Sequence, residues 1–211
     1  MHCCQLCLLN IIPMPDIIFA TSNAHKVQEV AAMLGAPWQV QGLKAYPHVQ
    51  LPEETGTTFE ANAVLKAEAA SAALPGVYVI ADDSGLEVDA LNGEPGVYSA
   101  RYAGPDATDA DNRVRLKAEL GKLPPATFTG RFHCCLVLAK DGQALHVTHG
   151  TVEGTLRLEE QGIGGFGYDA LFQPDGHADT FGVLPAEVKN QLSHRARALA
   201  EMKAWMEAHL V

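Results

Sequence analysis

Basic residues are scarce in this chain. Its 15 Lys and Arg stand against 25 Asp and Glu, for a formal charge of −10. A field of that sign repels phosphate backbones, which excludes nucleic acid as a partner gripped through bulk charge. An anionic ligand would need a few converging Lys, Arg and backbone N–H groups, or a divalent metal, to overcome the field locally. Cysteine is sparse as well, with five residues at positions 3, 4, 7, 134 and 135. An odd number containing sequence neighbours is not a secreted disulfide framework. Cys3, Cys4 and Cys7 look like a fragment of a metal motif, but no matching His or Cys cluster follows nearby, so no zinc site is expected there. The apolar stretch through Ile12 is shorter than a membrane span and has no Lys or Arg ahead of it, which argues against an anchor or a signal peptide. No membrane partner and a cytoplasmic location are the expectation. Residues 1–14 are expected to be a poorly ordered extension, or an over-long start with Met14 as the true first residue, and residues 15–211 one domain with two lobes. There is no internal repeat and no interdomain linker. With 47% hydrophobic and 19% charged residues, the chain has the material for a substantial core.

Periodicity gives an α/β order. Asp16–Ala20 reads as a short buried strand, Thr21–Asn23 supplies cap chemistry, and Lys26–Leu34 has apolar residues at helical spacing, stopped by Gly35 and Pro37. Trp38–Leu43 is a second strand, followed by a loop over 44–56. A helix capped by Thr57 or Thr58 runs to about Ala73 and is rich in alanine. Val77–Ala81 is a strand that runs into a turn at Asp82-Asp83-Ser84-Gly85, with Glu87–Leu91 a further strand beyond it. Tyr98–Tyr102 is irregular, and Thr108 caps a helix to Leu120. Thr127–Ala139 is a long strand, and Asp141-Gly142 turns it into Leu145–Gly150, which 152–158 extends. A glycine-rich loop covers 162–167, and Pro185–Asn190 and Ser193–His209 are helices.

Five constellations could carry chemistry. Thr21-Ser22-Asn23-Ala24-His25-Lys26 lies at a strand end and helix start, where free N–H groups and the helix dipole favour anions. Taken alone it is equally a helix cap. Glu53 and Glu54 are adjacent carboxylates in a loop. Asp82 and Asp83 end an apolar strand, where carboxylates need solvent, a partner or a metal. Mg²⁺ takes oxygen ligands and keeps several waters, so Asp83 with Glu53 would suffice, and the same carboxylates could activate a water. Asn62 and Lys66 share one helix face. Gly164-Gly165-Phe166-Gly167-Tyr168-Asp169 offers close backbone approach, two planar rings for stacking on a base and a carboxylate for ring N–H groups. Lys189 with Ser193-His194-Arg195 gathers donors that suit a 6-oxo purine and stay unpaired against a 6-amino one. For each of these the blander readings are a turn, a core aromatic or surface charge.

In this order, Thr-Ser-Asn-x-x-Lys, Glu-Glu-Thr-Gly, Phe-x-x-Asn-Ala-x-x-Lys-Ala, Ala-Asp-Asp-Ser-Gly-Leu, Pro-Gly-x-Tyr-Ser-Ala-Arg-Tyr, Gly-Gly-Phe-Gly-Tyr-Asp and Ser-His-Arg resemble the inosine triphosphate pyrophosphatase family. The match runs from about Ile17 to Leu199. One departure is Thr-Ser-Asn, where Thr-Gly-Asn is common. The resemblance implies an elongated, mixed α/β fold, with a central mixed sheet flanked by helices and two lobes around a deep cleft, usually as a homodimer. It implies Mg²⁺-dependent hydrolysis of aberrant purine triphosphates such as ITP, dITP and XTP to the monophosphate and pyrophosphate. Thr21, Ser22, Asn23, Ala24, His25 and Lys26 would then hold phosphates with Lys66. Glu53 and Asp83 would serve the metal, and Asp83 would take the proton with Asp82 in support. Ser84 would touch substrate, and Phe166, Gly167, Tyr168, Asp169, Lys189, His194 and Arg195 would surround the base. Arg101 is a further candidate. The alternatives are a nucleotide-binding sensor without turnover and a pyrophosphatase of other nucleotide specificity.

Overall fold

The computed structural model describes residues 16–210. The expectations for residues 1–14, including Cys3, Cys4 and Cys7, lie outside them. The first unit is the strand–loop–helix expected. Strand β1 (Ile17–Phe19) is wholly buried and leads into helix α1 (Ala24–Leu34), which Asn23 caps by accepting from the amides of His25 and Lys26. Strand β2 (Val40–Gly42) pairs parallel to β1, and a 3-10 turn at Leu43–Ala45 follows. Helix α2 (Phe59–Ala73) starts where the Thr58 hydroxyl accepts from the Ala61 amide. Phe59, Ala63, Ala67 and Ala70 bury one face of it, and the small alanines let the helix lie close to the sheet.

Strand β3 (Tyr78–Val88) differs from the sequence expectation. The Asp82–Gly85 segment is not a turn but the middle of one continuous strand, which pairs with β1 over Tyr78–Ile80 and with β4 (Phe128–Lys140) along nearly its whole length. Turn propensity loses to the ladder with β4, and the carboxylates find partners. The chain after Val88 is a 3-10 turn at Asp89–Leu91, and Gly96–Arg101 is a second such segment where irregular chain was expected. Helix α3 (Asp109–Leu120) carries a full capping box between Thr108 and Asp111. β4 turns through Asp141-Gly142 into β5 (Gln143–Leu156), a single strand where two segments were expected. A sixth strand, β6 (Phe172–Pro174), pairs with the end of β5 and is too short for periodicity to reveal. Helices α4 (Ala186–Leu192) and α5 (His194–His209) meet at Ser193, which closes the first and caps the second.

The sheet order is β2-β1-β3-β4-β5-β6, parallel over the first three strands and antiparallel from β3 onward. Helix α2 covers one face, where Ile18, Ala81, Cys135 and Val137 meet its alanines. Helices α1 and α5 cover the other, where Phe19, Ile80, Leu136 and Leu138 meet Val30, Leu199 and Met202. A third cluster, with Leu86, Phe132, Leu116, Tyr168 and Phe172, packs α3 and the 168–181 segment on the far ends of the long strands. Asp82, Asp83 and Ser84 occupy the stretch of β3 between these cores.

Candidate active site

Alternation along β3 sends Asp82 and Asp83 to opposite faces. Asp82 follows Ile80 and sits across from Leu136, on the α1/α5 face, whereas Asp83 follows Ala81 and sits across from Cys135, on the α2 face. The two carboxylates do not form one cluster, contrary to their reading as a joint site. Each has its own set of partners.

On the α1/α5 face, Asp82 is buried and accepts from three side chains. Lys26 Nζ lies 3.0 Å from its Oδ2, Arg195 Nη2 2.9 Å and Ser84 Oγ 3.0 Å. Burial works to raise the Asp82 pKa, but the charges of Lys26, Arg195 and Lys66 outweigh it and hold the carboxyl well below its ordinary range. Arg195 is almost wholly buried and donates through Nη1 to Glu29 at 2.6 Å. Glu29 also accepts from Lys189 Nζ at 2.7 Å, and Lys189 donates in turn to Asp169 at 2.6 Å. The result is a chain of alternating charge: Lys26, Asp82, Arg195, Glu29, Lys189, Asp169. The expected residues are joined here by Glu29, which the sequence reading missed. Its signal was its place one turn beyond Lys26 on the same helix face.

Asp169 Oδ2 also accepts from the Phe166 amide at 2.8 Å. Burial raises the Asp169 pKa against the pull of Lys189 and the Phe166 amide. Through Oδ2 the carboxylate fixes the glycine-rich loop, while Oδ1 has no hydrogen-bond partner among the described residues. Tyr168 borders the cavity but is mostly covered. It is buried in the third core and its hydroxyl donates to the Ser99 carbonyl at 2.8 Å. Phe166 is the ring at the site, stacked on His25 at 5.9 Å between centroids, with Lys189 Nζ 4.6 Å over its face. Gly167 is held by Asp109 and Arg113 of α3.

These groups enclose a cavity of about 120 Å³ lined by Lys26, Ser84, Phe166, Asp169, Lys189, His194 and Arg195, among others. His194 Nδ1 and Arg195 Nε are buried without a hydrogen-bond partner. His194 stacks on Phe132, and burial, then the charges of Arg195 and Lys189, push its pKa well down, so it is neutral. Arg195 Nε is a donor whatever the pH, whereas His194 Nδ1 donates or accepts according to its tautomer, and leaving such buried atoms unpaired is costly. Of the phosphate loop, Asn23 Oδ1 is spent on the helix cap and Thr21 Oγ1 accepts from the Asn23 amide. Ser22 and His25 are exposed beside it, as is Ala24.

On the α2 face, Asp83 accepts from Asn62 Nδ2 at 3.0 Å and lies 3.4 Å from Lys66 Nζ. Lys66 also contacts Glu54 at 2.5 Å, and Arg101 Nη1 donates to Glu54 at 2.8 Å. Burial, aided by the charge of Glu54, raises the Asp83 pKa against the pull of Lys66 and Asn62. Burial would raise Glu54 too, but Lys66 and Arg101 outweigh it and its pKa falls. Lys66 likewise loses to burial less than it gains from Asp82, Asp83 and Glu54, and stays charged. Glu53 is exposed and has no side-chain partner among the described residues, so it is Glu54 that shares a cation with Asp83. Two adjacent glutamates look alike in sequence, and only the loop path tells them apart.

The model of the Ham1 family matches residues 17–205. The chain is 47% identical over 196 residues to a dITP/XTP pyrophosphatase of Geobacillus kaustophilus, covering 92% of this chain and 96% of that protein. It is 44% identical over 195 residues to a protein of the same description from Halalkalibacterium halodurans, covering 92% and 100%. Among solved structures, the Staphylococcus aureus Ham1 protein matches with a TM-score of 0.79 at 39% identity, over 92% of this chain and 98% of that one. A HAM1 protein from Coxiella burnetii matches with a TM-score of 0.81 at 35% identity, over 92% and 100%.

Proposed function

The chain belongs to the Ham1 family, and on that premise we propose that it hydrolyses non-standard purine nucleoside triphosphates, of the ITP, dITP and XTP kind, to the monophosphate and pyrophosphate. The observation that carries the reading is the cavity lined by Lys26, Lys189 and Arg195, in which Arg195 Nε is a buried donor without a partner. An oxo-purine presents acceptors to such donors, whereas the 6-amino group of adenine leaves them unpaired.

The α2 face fits a hard divalent cation. Glu54 and Asp83 offer oxygen only, they already share the Lys66 ammonium, and the burial that raises the Asp83 pKa is a strain that a cation relieves. Asp83 and Glu54 would hold Mg²⁺, with Glu53 one residue removed and exposed. When bound, the ion would neutralise charge on the triphosphate. Asp83, its basicity increased by burial, takes a proton from the water that attacks the α-phosphorus. Lys26 and Lys66 come from opposite faces but meet at the edge of β3 that β1 leaves unpaired beyond Ile80, and there both donate to the departing pyrophosphate. Asp82 does not meet substrate in this scheme; it fixes Lys26, Ser84 and Arg195. Phe166 supplies the stacking surface, and Lys189, His194 and Arg195 read the base edge.

The same reading takes the protein as a cytoplasmic homodimer with no nucleic-acid or membrane partner. No helix among the described residues is long and apolar enough to cross a membrane. The test is pyrophosphate release from inosine, xanthosine, adenosine and guanosine triphosphates, with Mg²⁺ and then with chelator. Metal-dependent release favouring the first two is expected. Guanine shares the 6-oxo group, so its rate reports how the pocket treats a 2-amino group. Equal turnover of all four would sink base selection by donors, and no release would sink the hydrolase.

A further inference from the structure

The α2 face of the sheet carries a second set of polar side chains away from the cavity. His133 on β4 and His149 on β5 stand with Nε2 of the first 3.3 Å from Nδ1 of the second. Both line a broad open groove between the first turn of α2 and the 92–98 loop. We propose that this pair is a binding site for a late first-row transition ion such as Zn²⁺, with the two facing ring nitrogens as its protein ligands.

The spacing is the first argument. Zinc–nitrogen bonds of about 2.0–2.1 Å set two ligands of a tetrahedral ion about 3.3 Å apart. The outer nitrogens are the second. His149 Nε2 lies 3.1 Å from Glu60 Oε2, and His133 Nδ1 lies 4.0 Å from Glu87 Oε2. Glu60 accepts from His149 Nε2 and so leaves its Nδ1 unprotonated, while His133 Nε2 donates to that nitrogen, and an ion binding between them would displace the shared proton. The third is accessibility: the His133 side chain is 26% exposed and that of His149 45%. Cys135 Sγ lies 4.0 Å from the outer nitrogen of His149 and is not a ligand in this geometry. Among the described residues no three His, Cys, Asp or Glu side chains converge as a ready metal cluster. The ion would therefore keep water in its remaining positions, and binding would be in the micromolar range rather than structural. Its effect would fall on α2, because Phe59 packs edge-on against His133 at 5.0 Å and Glu60 belongs to the same first turn.

The test uses the full chain with Cys3→Ser, Cys4→Ser and Cys7→Ser, so that no N-terminal thiol competes, under saturating Mg²⁺. Calorimetric titration with Zn²⁺ should show one ion bound. His133→Asn or His149→Asn should weaken it at least tenfold, and Glu60→Gln by roughly tenfold. Glu60 is exposed, so its variant answers even if a histidine variant folds poorly. Electron paramagnetic resonance with Cu²⁺ should show coupling to two nitrogens in the parent and one in either single variant. No Zn²⁺ bound by the parent, or unchanged affinity in the histidine and Glu60 variants, would overturn the site.

Discussion

Asp82 and Asp83 are sequence neighbours whose carboxylates lie on opposite faces of the sheet, one bound to Lys26 and Arg195, the other to Asn62 and Lys66. The strand's period of two separates them, and their surroundings then push their pKa values in opposite directions, Asp82 down and Asp83 up. One is a permanent anion that positions cations. The other is a basic carboxylate suited to taking a proton.

That contrast predicts opposite effects on stability. The Asp82 pKa is depressed in the folded protein, so its contribution is present above the ordinary value of 3.8 and is lost as pH falls below it. Asp82→Asn should cost about 3–5 kcal/mol at pH 7, because Lys26 and Arg195 lose a buried partner. Its stability should also fall less steeply in acid than the parent's. The Asp83 pKa is raised, so ionised Asp83 opposes folding above 3.8. Asp83→Asn should melt at or above the parent at pH 7 while losing about 10²–10⁴-fold in turnover. Thermal melts from pH 3 to 8 beside pyrophosphate release check both, and near-normal turnover in Asp83→Asn would refute its role.

Arg195→Lys keeps the charge but not the fork. Arg195 reaches Glu29 through one arm and Asp82 and Ser84 through the other, and a lysine cannot span them. Turnover should fall about 10²-fold or more, with a stability loss of about 3 kcal/mol read by denaturant titration. A variant as active as the parent would show that the bidentate contact is dispensable.

Gly165→Ala tests the glycine loop. Gly165 has φ of 71°, and a Cβ there would run into the Asp169 carboxylate that holds Phe166 and Lys189. The KM should rise about tenfold or more, from backbone strain of about 1–3 kcal/mol, with a smaller change in kcat. An unchanged KM would place the loop outside the base site.

Glu54→Gln should raise the Mg²⁺ concentration for half-maximal activity about tenfold, whereas Glu53→Gln should change it little. Metal titrations of initial rate decide this, and the reverse order would return the ligand role to Glu53.

Much of this was legible in the sequence. Apolar runs and caps placed β1, α1, α2, α3 and α5, because strong local signals there agree with the tertiary fold. The Asp82–Gly85 segment reads as a turn because its residue types favour one in isolation, and only pairing with β4 keeps it extended. Lys26, Asp82, Lys189 and Arg195 were gathered from distant segments as expected. Glu29 escaped because an acid on a helix face reads as solvated charge until its two cationic partners arrive from α4 and α5. Tyr168 escaped for the opposite reason: a ring in a glycine-rich segment looks exposed until a third core closes over it.

The alternating run from Lys26 to Asp169 contains three cations and three anions, so this run of ion pairs adds no net charge inside a protein of −10. Attraction for a triphosphate is then short-ranged and begins only when donors are within reach. At longer distance the molecule repels its substrate. Added salt, which shortens the range of that repulsion, should therefore speed the encounter rather than slow it, the reverse of an enzyme that draws its anion in from afar.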